Sequence, residues 1–98
     1  MFELNIEVTK PAYQWFKDEF NLEGNEYMRI FVRYGGCGNF QQGFSLGIAK
    51  EEPKDSAIEV NVEGTLFFIE REDMWYFDGQ AVKIKYSRNK EEIEFVHA

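Results

Sequence analysis

Cys37 and His97 are the only cysteine and the only histidine in the chain, and they are the first residues to ask for chemistry. Cys37 lies in Gly35-Gly36-Cys37-Gly38-Asn39, a loop whose glycines allow backbone angles barred to other residues. Backbone N–H groups gathered around a thiol lower its pKa and can form a concavity that accepts an anion. Nucleophilic catalysis by such a thiolate needs a base held close to it, and His97, far along the chain, is the sole histidine for that part. Catalysis is therefore not expected. No Gly-Lys-Ser/Thr occurs in the Gly35–Gly43 stretch and no basic residue lies inside it, so a phosphate-binding loop is not indicated. The plainest reading of Cys37 is a small residue packed under a Gly-rich turn.

Two acidic groups invite a metal reading: Glu51, Glu52 and Asp55 in one connection, and Glu70, Glu72 and Asp73 in another. Neither has the spacing of a calcium loop. Both are expected to be solvated surface charge. Trp75, Tyr76 and Phe77 are large rings of the kind enriched at interfaces, but in a chain this small they are expected in the core.

The elements that must position these residues follow from periodicity. Phe2, Leu4, Ile6 and Val8 alternate with polar residues, as in a strand with one face covered. Thr9 is a helix cap and Pro11 suits the first turn, which needs no proline donor. The helix runs to about Phe20 with Ala12, Trp15 and Phe16 in its apolar stripe, and Gly24 supplies the break. Tyr27 to Tyr34, rich in aromatic and β-branched residues, is a central strand. The loop Gly35 to Gly43 follows it. Strands are expected over Phe44–Ala49, Ala57–Val62 and Thr65–Ile69, with a polar connection from Glu51 to Ser56. Arg71 to Phe77 suits a short helix stopped by Asp78-Gly79. Strands Ala81–Tyr86 and Ile93–His97 close the chain around a Ser87–Lys90 hairpin connection.

At 98 residues, 44% of them apolar and ten of them Phe, the chain makes one domain, residues 1–98, able to bury a core without staples. Its formal charge of −7 repels phosphate backbones and anionic membranes, so nucleic acid and membrane surfaces are not expected partners. The start has no basic segment followed by an apolar one, and no run approaches a membrane span of about 18 apolar residues. A cytoplasmic protein is expected, and a single cysteine, which allows no internal disulfide, agrees with a reducing compartment.

Three local sequences fall in a telling order: Val8-Thr9-Lys10-Pro11-Ala12 opening a helix, Gly35-Gly36-Cys37-Gly38 after a strand, and Trp75-Tyr76-Phe77-Asp78-Gly79 before a hairpin. Together they resemble the HesB-like, A-type iron-sulfur carriers, over nearly the whole chain. In that family a strand enters a Gly-rich loop bearing the first cysteine, and a later stretch ending in Asp-Gly precedes the last strands. The resemblance implies an α+β fold of two small mixed or antiparallel sheets, with an N-terminal helix and a short second helix. It also implies work in iron-sulfur cluster assembly, alongside other assembly proteins, with Cys37 as a ligand framed by Gly35, Gly36 and Gly38.

The family's carriers end in Cys-Gly-Cys, where this sequence reads Glu94-Phe95-Val96-His97-Ala98. One thiolate is too few for a cluster iron, which takes four ligands. In a homodimer, two Cys37 thiolates and two His97 imidazoles restore the count, and histidine replaces cysteine in some iron-sulfur centres. A solvated histidine near a terminus is the simpler view of His97. The first expectation is thus an iron-sulfur assembly protein holding iron or a cluster through Cys37 at a dimer interface. The alternative is a non-catalytic interaction module that keeps the carrier fold and binds no cluster.

Overall fold

The computed structural model describes residues 5–37 and 42–97, with only the backbone at positions 36, 37, 42 and 97. It has the α+β architecture expected: a three-stranded sheet, a four-stranded sheet, one α-helix and one 3-10 helix. Strand β1 (Ile6–Val8) is followed by helix α1 (Lys10–Phe20), then β2 (Tyr27–Cys37), β3 (Gln42–Lys50), β4 (Ser56–Val62) and β5 (Thr65–Glu70). The 3-10 helix Arg71–Phe77 comes next, and β6 (Val82–Ser87) and β7 (Glu92–His97) complete the order. The smaller sheet runs β1-β6-β7 and the larger β3-β2-β5-β4. Phe2 and Leu4, expected to share the face of Ile6 and Val8, lie outside the described residues.

Helix α1 begins as its sequence requires. The Thr9 hydroxyl accepts from the Ala12 N–H at 3.3 Å, and Pro11 sits in the first turn. Asn21 ends it in the left-handed conformation at φ 53°, which asparagine tolerates better than most residues. The buried face carries Ala12, Tyr13 and Phe16. Phe16 meets Phe67 of β5 edge-on at 5.1 Å, and the Tyr13 hydroxyl shares a 3.2 Å hydrogen bond with buried Thr65. Burying a ring the size of Phe16 contributes about 1.5–3 kcal/mol, so this contact fixes the helix on the larger sheet. Strand β5, enclosed between β2 and β4, buries Thr65, Phe67, Phe68, Ile69 and Glu70, and its near-continuous apolar run is the signature of a strand covered on both faces.

The turn from α1 to β2 is built on a carboxylate. Glu26 accepts from the backbone N–H groups of Glu23, Gly24 and Asn25 at 2.6, 3.0 and 3.1 Å. These bonds, that from Glu23 foremost, hold its pKa below the ordinary 4.5. A depressed carboxyl adds stability above its unfolded pKa and loses it as the pH falls through the folded value. Glu26→Gln is accordingly expected to melt below wild type at neutral pH, and the difference to close as the pH drops past that depressed value. Melting curves of both proteins across pH check this, and a gap independent of pH contradicts it.

The structure corrects the extent of β2. Instead of leaving the strand at Tyr34, the chain stays paired with β3 through Gly35-Gly36 to a Cys37–Gln42 pair, with a register shift between Tyr34 and Cys37. Gly35, at φ 93°, takes the angle that lets the strand bulge there without breaking. Gly35 to Cys37 and Gln42 to Gly43, expected as loop, are therefore strand.

Candidate functional site

Strand β2 organises the site because its two flanks are treated differently. β3 pairs along it from Met28 to Cys37, whereas the parallel pairing with β5 stops at Ile30–Ile69. Beyond that point β5 gives way to the 3-10 helix, which lies against the edge of β2. The helix is pinned at its start: buried Glu70 accepts from the N–H groups of Lys54 and Asp55 at 3.1 and 3.0 Å, and the Arg71 N–H donates to the Asp55 carbonyl. Further on, Tyr76 and Phe77 are buried, and the Tyr76 hydroxyl donates to the Phe44 carbonyl at 3.4 Å.

Arg29 joins strand to helix. One guanidinium nitrogen meets Glu72 at 2.9 Å and Asp73 at 3.0 Å, and the other meets Glu51 at 3.4 Å. Its Nε is buried without a partner among the described residues, and its Cζ lies 5.7 Å from the centre of the Phe31 ring. Burial works against the charge, but the hydrogen bond and charge of Asp73, with Glu51 and Glu72, outweigh it and hold the pKa above the ordinary arginine value. The acidic residues expected as solvated charge are thus of two kinds. Glu70 and Asp73 are buried, because one caps backbone N–H groups and the other neutralises Arg29, while Glu51, Glu52, Asp55 and Glu72 remain wholly or partly exposed.

Between the edge of β2 and the helix lies a groove of about 320 Å³, lined by Arg29, Phe31, Val32, Tyr34, Glu72, Asp73 and Trp75. Of the three rings expected in the core, Trp75 departs: it is 49% exposed, since the short helix turns Tyr76 and Phe77 inward and leaves Trp75 at the rim. The Phe44 ring stands between Trp75 and Tyr34, 5.2 Å from one and 5.5 Å from the other. Tyr34 itself is 89% exposed. Sequence reasoning missed this groove, although Arg29 alternating with apolar residues in a central strand was a signal that acidic partners had to lie alongside.

The expected ligand residues are placed by backbone alone. Cys37 closes β2, three residues beyond Tyr34, in the larger sheet. His97 pairs with Val82 at the edge of the smaller sheet. The two do not share an element, so any joint ligation has to bring together parts of different sheets. Gly35 and Gly36 lie in β2, and Gly38 falls outside the described residues. Among the described residues no group of three His, Cys, Asp or Glu is arranged to hold a metal ion, and no helix is long and apolar enough to cross a membrane. One thiol and one imidazole per chain are fewer than the four ligands a cluster iron takes.

Residues 4–98 match a protein family described as iron-sulphur cluster biosynthesis. A Bacillus subtilis protein named pyruvate dehydrogenase inhibitor is 42% identical over 92 residues, which cover 94% of this chain and 97% of that one. An uncharacterized protein of Staphylococcus haemolyticus is 35% identical over 95 residues, covering 94% of this chain and 96% of its own length. Among solved structures, that of IscA with a 2Fe-2S cluster superposes with a TM-score of 0.57 at 21% identity, covering 95% of this chain and 80% of the other. At that identity the likeness is one of fold.

Proposed function

From the premise that this chain belongs to the iron-sulphur cluster biosynthesis family, we propose that it is a non-catalytic binding module of that family which docks on pyruvate dehydrogenase and inhibits it. The observation that carries the reading is the 42% identity, over nearly the full length of both chains, to a protein named for that inhibition. Supporting it is the chemistry of the residues present: one cysteine and one histidine on different sheets, against a built groove of exposed rings and carboxylates. The protein acts in the cytoplasm on this reading.

The test is pyruvate-dependent NADH formation by purified pyruvate dehydrogenase complex, titrated with the wild-type protein and with Cys37→Ser. Inhibition that saturates near stoichiometric amounts and is the same for both proteins supports docking without metal. An unaffected rate overturns the reading.

A second reading is favoured by the family match itself: iron or a cluster held by Cys37 at a homodimer interface, with His97 completing the ligands and iron-sulfur assembly proteins as partners. Anaerobic reconstitution with ferrous iron and sulfide separates it from the first. Charge-transfer absorption with stoichiometric iron, lost in Cys37→Ser, is its expected signature, and iron-free spectra identical in both proteins sink it.

A further inference from the structure

We propose that the groove between β2 and the 3-10 helix is the surface that meets the partner, and that its occupant is a basic side chain, an arginine in preference to a lysine. The proposal deepens the docking reading by naming the contact, and rests on that reading only for the partner's identity.

Two carboxylates of the groove's lining, Glu72 and Asp73, share the single guanidinium of Arg29, one negative charge more than that cation neutralises there. Glu72 is the member free to turn to a second cation, because its side chain is 75% exposed whereas that of Asp73 is 12% exposed. An aromatic wall lies beside these charges. Tyr34, Phe44 and Trp75 form a continuous row of rings, exposed at both ends. A ring face attracts a cation, indole most strongly, and a planar guanidinium both stacks on it and pairs in a fork with a carboxylate. Arg29 already combines ring and carboxylate within the chain, its Cζ 5.7 Å from the centre of the Phe31 ring while one guanidinium nitrogen bonds both Glu72 and Asp73. A partner's arginine placed between Trp75 and the outer side of Glu72 repeats the same arrangement one step out.

The end of β5 explains why the groove exists here. Among the described residues, those of β2 beyond Ile30 have no strand on the β5 side, and the 3-10 helix lines that side instead. The groove is therefore open to a side chain arriving from outside, at the end of β2 that leads into Cys37.

The test has two arms. In the first, Nα-acetyl-arginine amide is titrated into the isotopically labelled protein and the Trp75 indole N–H signal is followed by NMR, with Nα-acetyl-glutamate amide as the control. A saturable shift is expected with the arginine compound alone, weakened about fivefold by Glu72→Gln and about tenfold by Trp75→Ala at the backbone amides of the helix, and weakened again by salt. No shift, or equal shifts with both compounds, overturns the proposal. In the second arm, binding of purified pyruvate dehydrogenase is measured for wild type and the same variants. Binding that is unchanged by both substitutions overturns the groove and leaves the inhibitor reading intact. Arginine binding without any binding of pyruvate dehydrogenase leaves the groove and removes the inhibitor reading.

Discussion

Arg29→Ala is expected to lower the unfolding free energy by about 2–3 kcal/mol. Deleting one partner of a buried ion pair costs about 3–5 kcal/mol, because the other charge stays buried and unpaired. The figure is lower here because Arg29 is still 19% exposed and two of its three partners, Glu51 and Glu72, reach solvent. The cost falls mainly on Asp73, whose carboxylate loses its 3.0 Å partner while staying beside Glu72 in sequence and Glu51 in space. Urea denaturation checks it: with a slope of about 1–2 kcal/mol per molar, the midpoint should fall by about 1–3 M with the slope unchanged. A second substitution, Asp73→Asn, should recover part of the loss in Arg29→Ala. A loss below about 0.5 kcal/mol would place the cluster with ordinary surface pairs.

How far the sequence led is seen best along β2. The alternation of Met28, Ile30 and Val32 with Arg29, Phe31 and Arg33 located the strand, because a period of two can only be a pleat. It did not locate the end. Gly35 and Gly36 read as loop on composition, yet pairing with β3 carries the strand through them by a bulge, a long-range effect that no local pattern encodes. The rings of the 3-10 helix show the same division. A short helix from Arg71 to Phe77 was legible from its neighbours, but which ring turns outward depends on a three-residue turn, and there Trp75 falls on the rim. The acidic residues were read by the rule that charge runs are solvated. Glu70 and Asp73 break it because each has a partner distant in sequence, the Lys54–Asp55 backbone and Arg29. The family resemblance, carried by the order of three short motifs, was confirmed over residues 4–98. The ligand that the resemblance implied was Cys37, to which the ligand count of a homodimer added His97, and the backbone sets the two on separate sheets.

Gly64→Ala is expected to be still more damaging, costing about 3 kcal/mol or more, because it violates two constraints at once. Glu63 and Gly64 form the two-residue link between β4 and β5, closed by the Val62–Thr65 pair, and both have positive φ, 50° and 93°. That is the twist a tight hairpin favours, and a side chain at such an angle costs about 1–2 kcal/mol. The larger constraint is space. A Cβ on Gly64 would stand 2.1 Å from the carbonyl oxygen of Gly24 and 2.9 Å from its carbonyl carbon. Both are backbone atoms in the turn held by Glu26, so no rotamer change relieves the overlap; one of the two turns has to move. The α1–β2 turn and the β4–β5 hairpin press together at this point, and the hairpin leads into β5, which delivers the 3-10 helix to its place beside β2. Displacement here is therefore expected to reach the Trp75 side of the groove as well as the core. Glu63→Asn provides the contrast at the adjacent position: asparagine tolerates positive φ better than glutamate, so this variant should be as stable as wild type or slightly more so. Urea midpoints for both variants decide the matter, together with the Trp75 indole signal of whatever fraction remains folded. A Gly64→Ala protein within about 1 kcal/mol of wild type would mean that the two turns yield to each other easily, and the hairpin would then lose its role in holding the groove.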